Sequence, residues 1–363
     1  MISIAGVVRI VGDYVYRDRA MQQIFICSPP QFGTWGFFFG NKNLWQKCVK
    51  MLSVLTIYEP ELIKTPTAIA LGNFDGIHRG HKTVLQPILD VCKDGSSRHI
   101  YPSVVSFSPH PREFLTGAKI SLLTPVVEKA AYLGTLGMEQ LILLPFNRQL
   151  ADLNPQEFVA QIIVKQLQAV KVSVGEDFHF GKHRAGTAKD LKNIAADFGI
   201  EVCLNSLHRY EDASRGAVRF SSSLIRQALL SGDIEKVNFM LGRPYNLIGK
   251  VVEGQQVGRT IGFPTANLQL PPDKFLPRYG VYAVKVKLPE SAIDGVMNIG
   301  CRPTVSGKAP TVEVHLLNWS GDLYGQTLTV SLQKFIRPEQ KFPSLAALQE
   351  QITADCRAAL ETG

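Results

Sequence analysis

Residues 72–81 read Gly-Asn-Phe-Asp-Gly-Ile-His-Arg-Gly-His, and no other stretch of the chain concentrates as much potential chemistry. The apolar run 68–71 before them predicts a buried strand, and the apolar spacing of residues 82–93 after them predicts a helix. The motif therefore lies on a strand-to-helix turn, where unpaired backbone N–H groups and the positive end of the helix dipole attract anions. His78 and His81 are three residues apart, so they share one face of the helix start and can donate hydrogen bonds to one phosphate group.

The same turn supplies the other candidate binding groups for a phosphate. Glycine permits positive φ angles and a close approach of the backbone to a ligand. The candidate binding residues of this turn are Gly72, Asn73, Phe74, Asp75, Gly76 and Gly80. The alternative is a glycine-rich turn with two solvated imidazoles. Pro87 falls inside the predicted helix, where it removes a hydrogen bond, so we expect the helix to kink or restart there.

Apolar runs alternate with helical patterns through the first half of the chain, which predicts an α/β doubly wound parallel sheet. The predicted strands are residues 68–71, 103–107, 140–144, 171–174 and 201–204, and the predicted helices include residues 125–136 and 155–168. In such sheets, ligands bind beyond the carboxyl ends of the strands. Two further polar turns fall at such ends, one with His110 and one with Asp177. They extend the predicted pocket.

A run of three serines, residues 221–223, precedes another helical pattern and is flanked by arginines. Serine caps helices well, and a helix start attracts phosphate. Guanidinium groups bind phosphate through two parallel hydrogen bonds. The candidates in this segment are Arg219, Ser222, Ser223 and Arg226. The alternative is a plain helix cap.

After residue 245 the pattern changes to short alternating strands separated by Gly, Pro and Asn, which predicts a small antiparallel β-barrel. The predicted strands are residues 246–252, 280–287, 294–299, 311–317 and 327–335, with a C-terminal helix from residue 344. The glycine-rich loop 254–267 suits phosphate binding, and Thr265 and Asn267 offer the hard oxygen ligands that Mg²⁺ prefers. Glu313 lies in an alternating strand and is a candidate general base, the alternative being a solvent-facing carboxylate.

These motifs, taken in order, support a family assignment. The turn at residues 72–81 resembles the nucleotidyltransferase superfamily, which binds the ATP triphosphate there and uses the histidines to stabilise charge at the α-phosphate. The second half carries Gly-Phe-Pro-Thr-Ala-Asn at residues 262–267, Asn-Ile-Gly-x-Arg-Pro-Thr at residues 298–304 and Glu-Val-His at residues 313–315. Together the segments over residues 60–360 resemble the bacterial bifunctional riboflavin kinase/FAD synthetase family. One departure is Ser223, where the family usually has Thr.

The resemblance implies an FMN adenylyltransferase domain of nucleotidyltransferase-like Rossmann fold at residues 51–240 and a riboflavin kinase domain at residues 241–363. Riboflavin would receive the γ-phosphate of ATP with Glu313 as base and with Mg²⁺ on Thr265 and Asn267. FMN would then attack a second ATP, with His78 and His81 stabilising charge. The ATP- and flavin-binding residues carried over in the second half are Gly258, Gly262, Pro264 and Arg302.

The net charge and the cysteine spacing indicate which ligands and which cellular compartment to expect. Lys and Arg exceed Asp and Glu by 39 − 31 = 8, which suits polyanionic ligands such as nucleotides. The six cysteines are scattered without a Cys-x-x-Cys pair, and no apolar run is long enough to cross a bilayer. We expect a cytoplasmic enzyme that binds small molecules and neither nucleic acid nor membrane. Self-association stays open.

Residues 1–50 do not fit the rest of the chain. They hold nine aromatic residues and only two acidic ones, with no clear period. Our hypothesis is an extension outside the catalytic fold, arising from a misassigned start codon. A transit peptide is the weaker alternative, because Ser3 and Ser28 are the only serines of the segment.

Three other functions compete with this assignment. Adenylyl transfer to nicotinamide mononucleotide or phosphopantetheine would use the same first motif, but the barrel argues against it. An RNA-binding protein related to class I tRNA synthetases would suit the basic charge, but no Lys-Met-Ser-Lys-Ser-like loop is present. A flavin-sensing regulator with dead active sites is the third alternative, and the intact motifs argue against it.

Overall fold

The computed structural model describes residues 7–11, 14–18, 24–27, 52–56, 62–91, 99–206, 209–212, 216–254, 258, 261–289, 291–304 and 307–361. Two compact units divide the chain. The first holds Met1–Ile120 and Val126–Phe220, and the second holds Ser121–Pro125 and Ser221–Gly363. Most of residues 1–50 lie outside the described residues. The predicted extension over residues 1–50 and the predicted boundary at residue 240 stay predictions.

The first unit is built on one large sheet. The strands of this unit are β1 (Val7–Val11), β2 (Tyr14–Asp18), β3 (Ile24–Cys27), β4 (Leu52–Thr56), β5 (Thr67–Leu71), β6 (Tyr101–Ser108), β7 (Gln140–Pro145), β8 (Ala169–Gly175), β9 (His179–Phe180), β10 (Gly186–Thr187), β11 (Glu201–Asn205), β12 (Arg209–Asp212) and β13 (Gly216–Arg219). Strands β9 and β10 form a separate pair, and so do β12 and β13. The sheet order is β11-β8-β5-β6-β7-β4-β3-β1-β2, and the run from β11 to β4 is parallel throughout. The predicted doubly wound parallel sheet is confirmed.

Helices cover both faces of this sheet. They are α1 (Arg79–Val91), α2 (Pro111–Thr116), α3 (Val126–Thr135), α4 (Arg148–Asp152), α5 (Pro155–Glu157) and α6 (Ala188–Ala196), with a π-helix at Phe158–Gln166 and a 3₁₀ turn at Lys182–Arg184. Strand β5 serves both cores, because its side chains alternate between the faces. Ala68 and Ala70 pack with α1 and α3, whereas Ile69 and Leu71 pack with the π-helix and α6.

Helix α1 runs through Pro87 as one element, so the alternative of a restart at this residue is wrong. Its inward residues Val84, Leu85 and Ile88 are buried against the sheet on both sides of the proline. Burial of this apolar face outweighs the backbone hydrogen bond that proline cannot make.

The second unit contains a closed antiparallel barrel, as predicted. Its elements are α7 (Ser222–Ser231), α8 (Ile234–Leu241), β14 (Tyr245–Val252), β15 (Ala266–Gln269), β16 (Gly280–Lys287), β17 (Ala292–Thr304), β18 (Gly307–Leu316), β19 (Thr327–Arg337) and α9 (Leu345–Leu360). The barrel order is β14-β15-β18-β17-β16-β19, and β14 pairs with β19 to close it. Strand β15 begins inside the segment 254–267 that the sequence predicts as loop.

A buried ion pair fixes helix α9 on the outside of the barrel. The Arg337 guanidinium donates through Nε and Nη2 to the Asp355 carboxylate at 2.8–3.1 Å, and the Asp355 side chain is only 3% exposed. Gln351 donates a further hydrogen bond to Asp355 at 3.0 Å. Ala359 packs beside this pair in a cluster with outward residues of the barrel such as Val281.

We expect Asp355→Asn to destabilise the second unit by about 3–5 kcal/mol, because it leaves the Arg337 charge uncompensated at a buried position. Differential scanning calorimetry would show this as a lower midpoint for the unfolding transition of that unit. Asp294→Asn is the matched control, since the side chains of the Lys285–Asp294 pair are 42% and 35% exposed and such a pair is worth roughly 0–1 kcal/mol. Equal effects of the two substitutions would contradict this account.

Candidate active sites

The turn between β5 and α1 is held in an unusual backbone conformation. Phe74, Gly76 and Ile77 have φ angles of 48°, 90° and 43°. Left-handed φ angles are unfavourable for a bulky residue such as Phe74 and above all for the β-branched Ile77. Both side chains are at most 1% exposed, so core packing fixes them. The surrounding structure thus overdetermines a strained turn, which is typical of a functional site.

His78 and His81 stack on each other at the start of α1. Their ring centroids are 3.6 Å apart with an interplanar angle of 15°, and the His81 ring also meets Phe74 edge-on at 5.2 Å. The backbone N–H of His81 donates to the His78 carbonyl at 2.8 Å and to Nδ1 of His78 at 3.2 Å. An Nδ1 that accepts carries no proton, so neutral His78 carries its proton on Nε2. That nitrogen is then the hydrogen-bond donor of the ring.

A buried lysine lies beneath this turn. Lys129 Nζ donates to the backbone carbonyl of Asn73 at 2.7 Å and to Ser106 Oγ at 3.3 Å, and Lys129 is 5% exposed. Burial lowers the pKa of Lys129 to about 8, while the negative charge of Asp75 acts in the opposite direction. Sequence reasoning missed Lys129. One sequence signal could have identified this lysine. Lys129 falls at helical spacing with Val126, Ala130 and Leu133, so it lies on the inward face of the helix.

Two more turns gather at the same edge of the sheet, because β8 and β6 are the neighbours of β5. After β6, the His110 side chain caps α2 by accepting from Arg112 N–H at 3.1 Å. After β8, the Asp177 carboxylate pairs with Arg219 at 3.1 Å, with both side chains half-exposed. The structure therefore brings His110, Asp177 and Arg219 to the edge where the histidine turn lies.

An aromatic cluster also occupies this edge, and the sequence reasoning did not identify it. Phe146 follows β7, and its ring meets those of Phe107 and Phe114 edge-on at 5.7 and 5.5 Å. Phe114 is 41% exposed. Solvent-exposed aromatic side chains on a sheet edge offer a surface on which a planar ligand ring can pack.

The serine segment differs in detail from its prediction. Helix α7 begins at Ser222, and the residue that caps it is Ser221, whose side chain accepts from Leu224 N–H. Arg226 donates to the Ser121 carbonyl at 3.1 Å and lies over the Phe275 ring at 5.6 Å. Ser222, Ser223 and Arg226 all belong to the second unit. Their predicted contact with phosphate stays a prediction.

A polar row crosses three strands of the barrel. Glu313 on β18 lies opposite Asn267 on β15 and opposite Asn298 on β17. Their chain neighbours Val312, Val314, Met297 and Ile299 are buried in the barrel. Because side chains alternate along a strand, Glu313, Asn267 and Asn298 face outward together. We call these three residues the outward row.

The loop before β15 brings its side chains to this row. The Thr265 hydroxyl lies 3.5 Å from Glu313 Oε2, and His315 Nδ1 lies 2.7 Å from the Pro264 carbonyl, which can only accept. Phe263 N–H donates to the Gly258 carbonyl at 2.8 Å. A Cβ at Gly258 would collide with the Phe263 carbonyl, so this close approach requires glycine.

The structure says less about the other predicted residues of this site. Gly262 has a φ angle of 85°, and a Cβ at Gly254 would collide with the Asn267 amide. The Arg302 side chain lies outside the described residues. Glu339, which the sequence reasoning missed, follows β19 and places its Oε1 against Gly300, where an added Cβ would collide with that oxygen. The same Cβ would lie 3.4 Å from Asn298 Nδ2, so Glu339 lies near the outward row.

The donor atoms of the barrel site suit a hard cation. Thr265, Asn267 and Glu313 offer hydroxyl, amide and carboxylate oxygens, which is the ligand chemistry of Mg²⁺. In the part of the chain that the structure describes, no three or more His, Cys, Asp or Glu side chains gather to hold a metal ion. The donor set therefore fits Mg²⁺ better than Zn²⁺.

None of the described helices combines the length and the apolar character that spanning a bilayer demands.

Comparison with known proteins assigns each half of the chain separately. The profile described as FAD synthetase matches residues 61–218, and the profile described as riboflavin kinase matches residues 241–362. Two relatives are described as bifunctional riboflavin kinase/FMN adenylyltransferases. That of Escherichia coli K12 is 40% identical over 289 residues, covering 79% of this chain and 90% of its own, and that of Bacillus subtilis 168 is 35% identical over 318 residues, covering 85% and 98%.

A solved structure shares the fold. It is described as a macrolide-efflux protein from Streptococcus pneumoniae, is 32% identical, and superposes with a TM-score of 0.74 over 85% of this chain and 98% of its own. The likeness supports the arrangement of a parallel sheet followed by a closed barrel. What its description says of macrolides concerns that protein.

Proposed function

The chain belongs to the family of bifunctional riboflavin kinase/FMN adenylyltransferases, and we propose that the turn at residues 72–81 and the outward row of the barrel are its two active sites. The enzyme phosphorylates riboflavin with ATP to give FMN, and it then adenylylates FMN with a second ATP to give FAD and pyrophosphate. The observation that carries the assignment of sites is that each half holds one gathered set of polar side chains of the required chemistry.

In the barrel, we propose that Glu313 accepts the proton of the riboflavin 5′-hydroxyl. The hydroxyl oxygen forms a bond to the γ-phosphorus of ATP, the bond from that phosphorus to the bridging oxygen breaks, and ADP leaves. Thr265 lies within 3.5 Å of the Glu313 carboxylate, which supports placing the nucleotide phosphates at the loop end. Gly258, Gly262 and Pro264 shape that loop, and Arg302 remains the predicted partner of a phosphate.

Thr265 and Asn267 would hold the Mg²⁺ ion of this site. The ion supplies neutralisation of the phosphate charge that develops during transfer. A Thr265 hydroxyl that donates to Glu313 keeps its oxygen lone pairs available for a cation, so both roles are compatible at one side chain.

In the first unit, the FMN phosphate attacks the α-phosphorus of ATP, and the bond to the β-phosphate oxygen breaks to release pyrophosphate. The nucleophile is already ionised, so this step needs positioning and charge stabilisation rather than a strong base. His78 supplies a donor at Nε2, and stacked His81 extends the same face. Gly72, Asn73, Asp75, Gly76 and Gly80 shape the turn that receives the triphosphate.

We assign the flavin ring of FMN to the aromatic cluster of Phe107, Phe114 and Phe146. These rings lie at the carboxyl ends of β6 and β7, where ligands of doubly wound sheets bind. His110 lies on the turn between Phe107 and Phe114, and Asp177 with Arg219 lines the turn after β8. The scattered cysteines support the predicted cytoplasmic setting, and small molecules are the substrates of both steps.

The two activities should separate by mutation. Glu313→Ala should lower FMN formation from riboflavin at least 100-fold while FAD formation from supplied FMN continues, and His81→Ala should do the reverse. Chromatography of flavins over time measures both steps. In the wild type, FMN should appear before FAD. Loss of both activities in either variant would contradict separate sites.

The metal assignment is tested by magnesium titration. Asn267→Ala should raise the Mg²⁺ concentration for half-maximal FMN formation about 10-fold or more, because one oxygen ligand is lost. The Mg²⁺ requirement of FAD formation in the same variant is the internal control and should not move. An unchanged requirement in both reactions would show that Asn267 does not bind the ion.

The aromatic cluster has its own test. Phe146→Ala should raise KM for FMN in FAD formation about 3- to 10-fold, since one stacking or edge-on ring contact contributes roughly 0.5–1.5 kcal/mol beyond its buried area. KM for ATP should stay constant. Phe198→Ala is a control at an exposed phenylalanine of the same unit. A KM for FMN equal to that of the wild type would show that the flavin ring does not bind at this cluster.

A further inference from the structure

We propose that Lys129 is a positioning residue for adenylyl transfer, whose ammonium group fixes the peptide between Asn73 and Phe74 in the orientation that the ATP phosphates require. The proposal rests on the proposed function of residues 72–81 as the adenylyl-transfer site. Lys129 itself lies beneath the turn, on α3, and does not need to touch ATP.

The contacts show how this hold is built. The Asn73 carbonyl accepts from Lys129 Nζ at 2.7 Å and from Ser106 Oγ at 3.1 Å, and Lys129 also donates to Ser106 at 3.3 Å. One carbonyl of the turn is thereby tied to helix α3 and to strand β6. A hydrogen bond from a charged donor is stronger than a neutral one, so Lys129 provides the main restraint.

Fixing this carbonyl also fixes the next N–H group. In a planar trans peptide, the carbonyl oxygen and the following N–H point in opposite directions. With the Asn73 oxygen held down toward Lys129, the Phe74 N–H points to the other side of the turn. Among the described residues no group accepts from this N–H, although Phe74 is 1% exposed. Buried N–H groups are nearly always paired, so this one calls for an acceptor from a ligand.

A purely structural role does not account for a lysine here. Burying an ammonium group is costly, and a neutral side chain of similar length would fill the space at lower cost. Burial lowers the pKa of Lys129 to about 8, because desolvation disfavours the charged form. The charged group facing it is Asp75 on the turn, while Ser106 faces it from β6 and Glu128 precedes it on α3. Perturbed titratable groups of this kind cluster at functional sites.

The first test compares Lys129→Met with Lys129→Arg in FAD formation from supplied FMN. We expect Lys129→Met to lower kcat/KM for ATP about 10- to 100-fold, because a charge-assisted hydrogen bond is lost. Lys129→Arg should recover part of that loss. Lys165→Met, at an exposed lysine of the same unit, is the matched control and should behave like the wild type.

The second test compares pH profiles of the wild type and of Lys129→Arg. For the wild type, kcat/KM for ATP in FAD formation should fall as the pH rises through about 8, since the free enzyme then loses the Lys129 charge. Lys129→Arg should not show this fall, because arginine stays protonated. A structural role alone would not move the pH profile. A profile that is the same in both proteins would overturn the proposal.

Calorimetric unfolding shows whether Lys129→Met is folded. The activity of His81→Ala shows whether the turn is the adenylyl-transfer site. A folded Lys129→Met protein whose kcat/KM stays within 3-fold of the wild type would refute the positioning role. If His81→Ala also retains FAD formation, then the turn is not the site and the proposed function of residues 72–81 fails. If His81→Ala loses it while Lys129→Met does not, only the inference about Lys129 fails.

Discussion

The close packing of α1 on β5 is the constraint on which the first unit depends. Ala68 and Ala70 present small side chains to the helix, so α1 can lie close to the sheet. The buried hydroxyl of Ser173 on β8 donates to the Val84 carbonyl of α1 at 2.7 Å and fixes the helix further. With both ends of the connection fixed, residues 72–78 must cross a short gap, and the left-handed angles at Phe74, Gly76 and Ile77 follow. The histidine pair is therefore placed by the core.

The barrel reaches a functional arrangement by a different route. Its interior is filled with apolar side chains, and the polar chemistry lies on the outside, where strand alternation aligns Glu313 with Asn267 and Asn298. Regular pairing sets the spacing of these side chains, so no strained backbone is needed within the strands. The glycine contacts of the preceding loop then bring Thr265 to the row. The first unit thus positions its polar groups by a strained turn. The barrel positions them by the pairing register of its strands.

Sequence reasoning could predict the features that depend on local pattern. Apolar runs indicated five strands of the parallel sheet, and alternation indicated five strands of the barrel. Within the large sheet and the barrel it missed β1 to β4 and β15, which are each five residues long or shorter, and it could not distinguish the π-helix at Phe158–Gln166 from an α-helix. Lys129 and Phe146 were missed because their roles come from tertiary neighbours: the lysine meets a carbonyl 56 positions earlier in the chain. Only pairing between distant segments reveals such contacts.

The segment Ser121–Pro125 has a consequence for how this protein can be divided. It lies within the first half of the chain, yet it belongs to the second unit, where Leu122 N–H donates to the Asp273 carbonyl and Lys274 Nζ donates to the Leu123 carbonyl. Leu123 is fully buried. The polypeptide crosses the boundary between units at three points, so a single cut cannot release two intact modules. Any truncation near residue 220 or 240 would separate residues 121–125 from Asp273 and Lys274, which hold them by hydrogen bonds, and would leave the buried Leu123 without its surroundings.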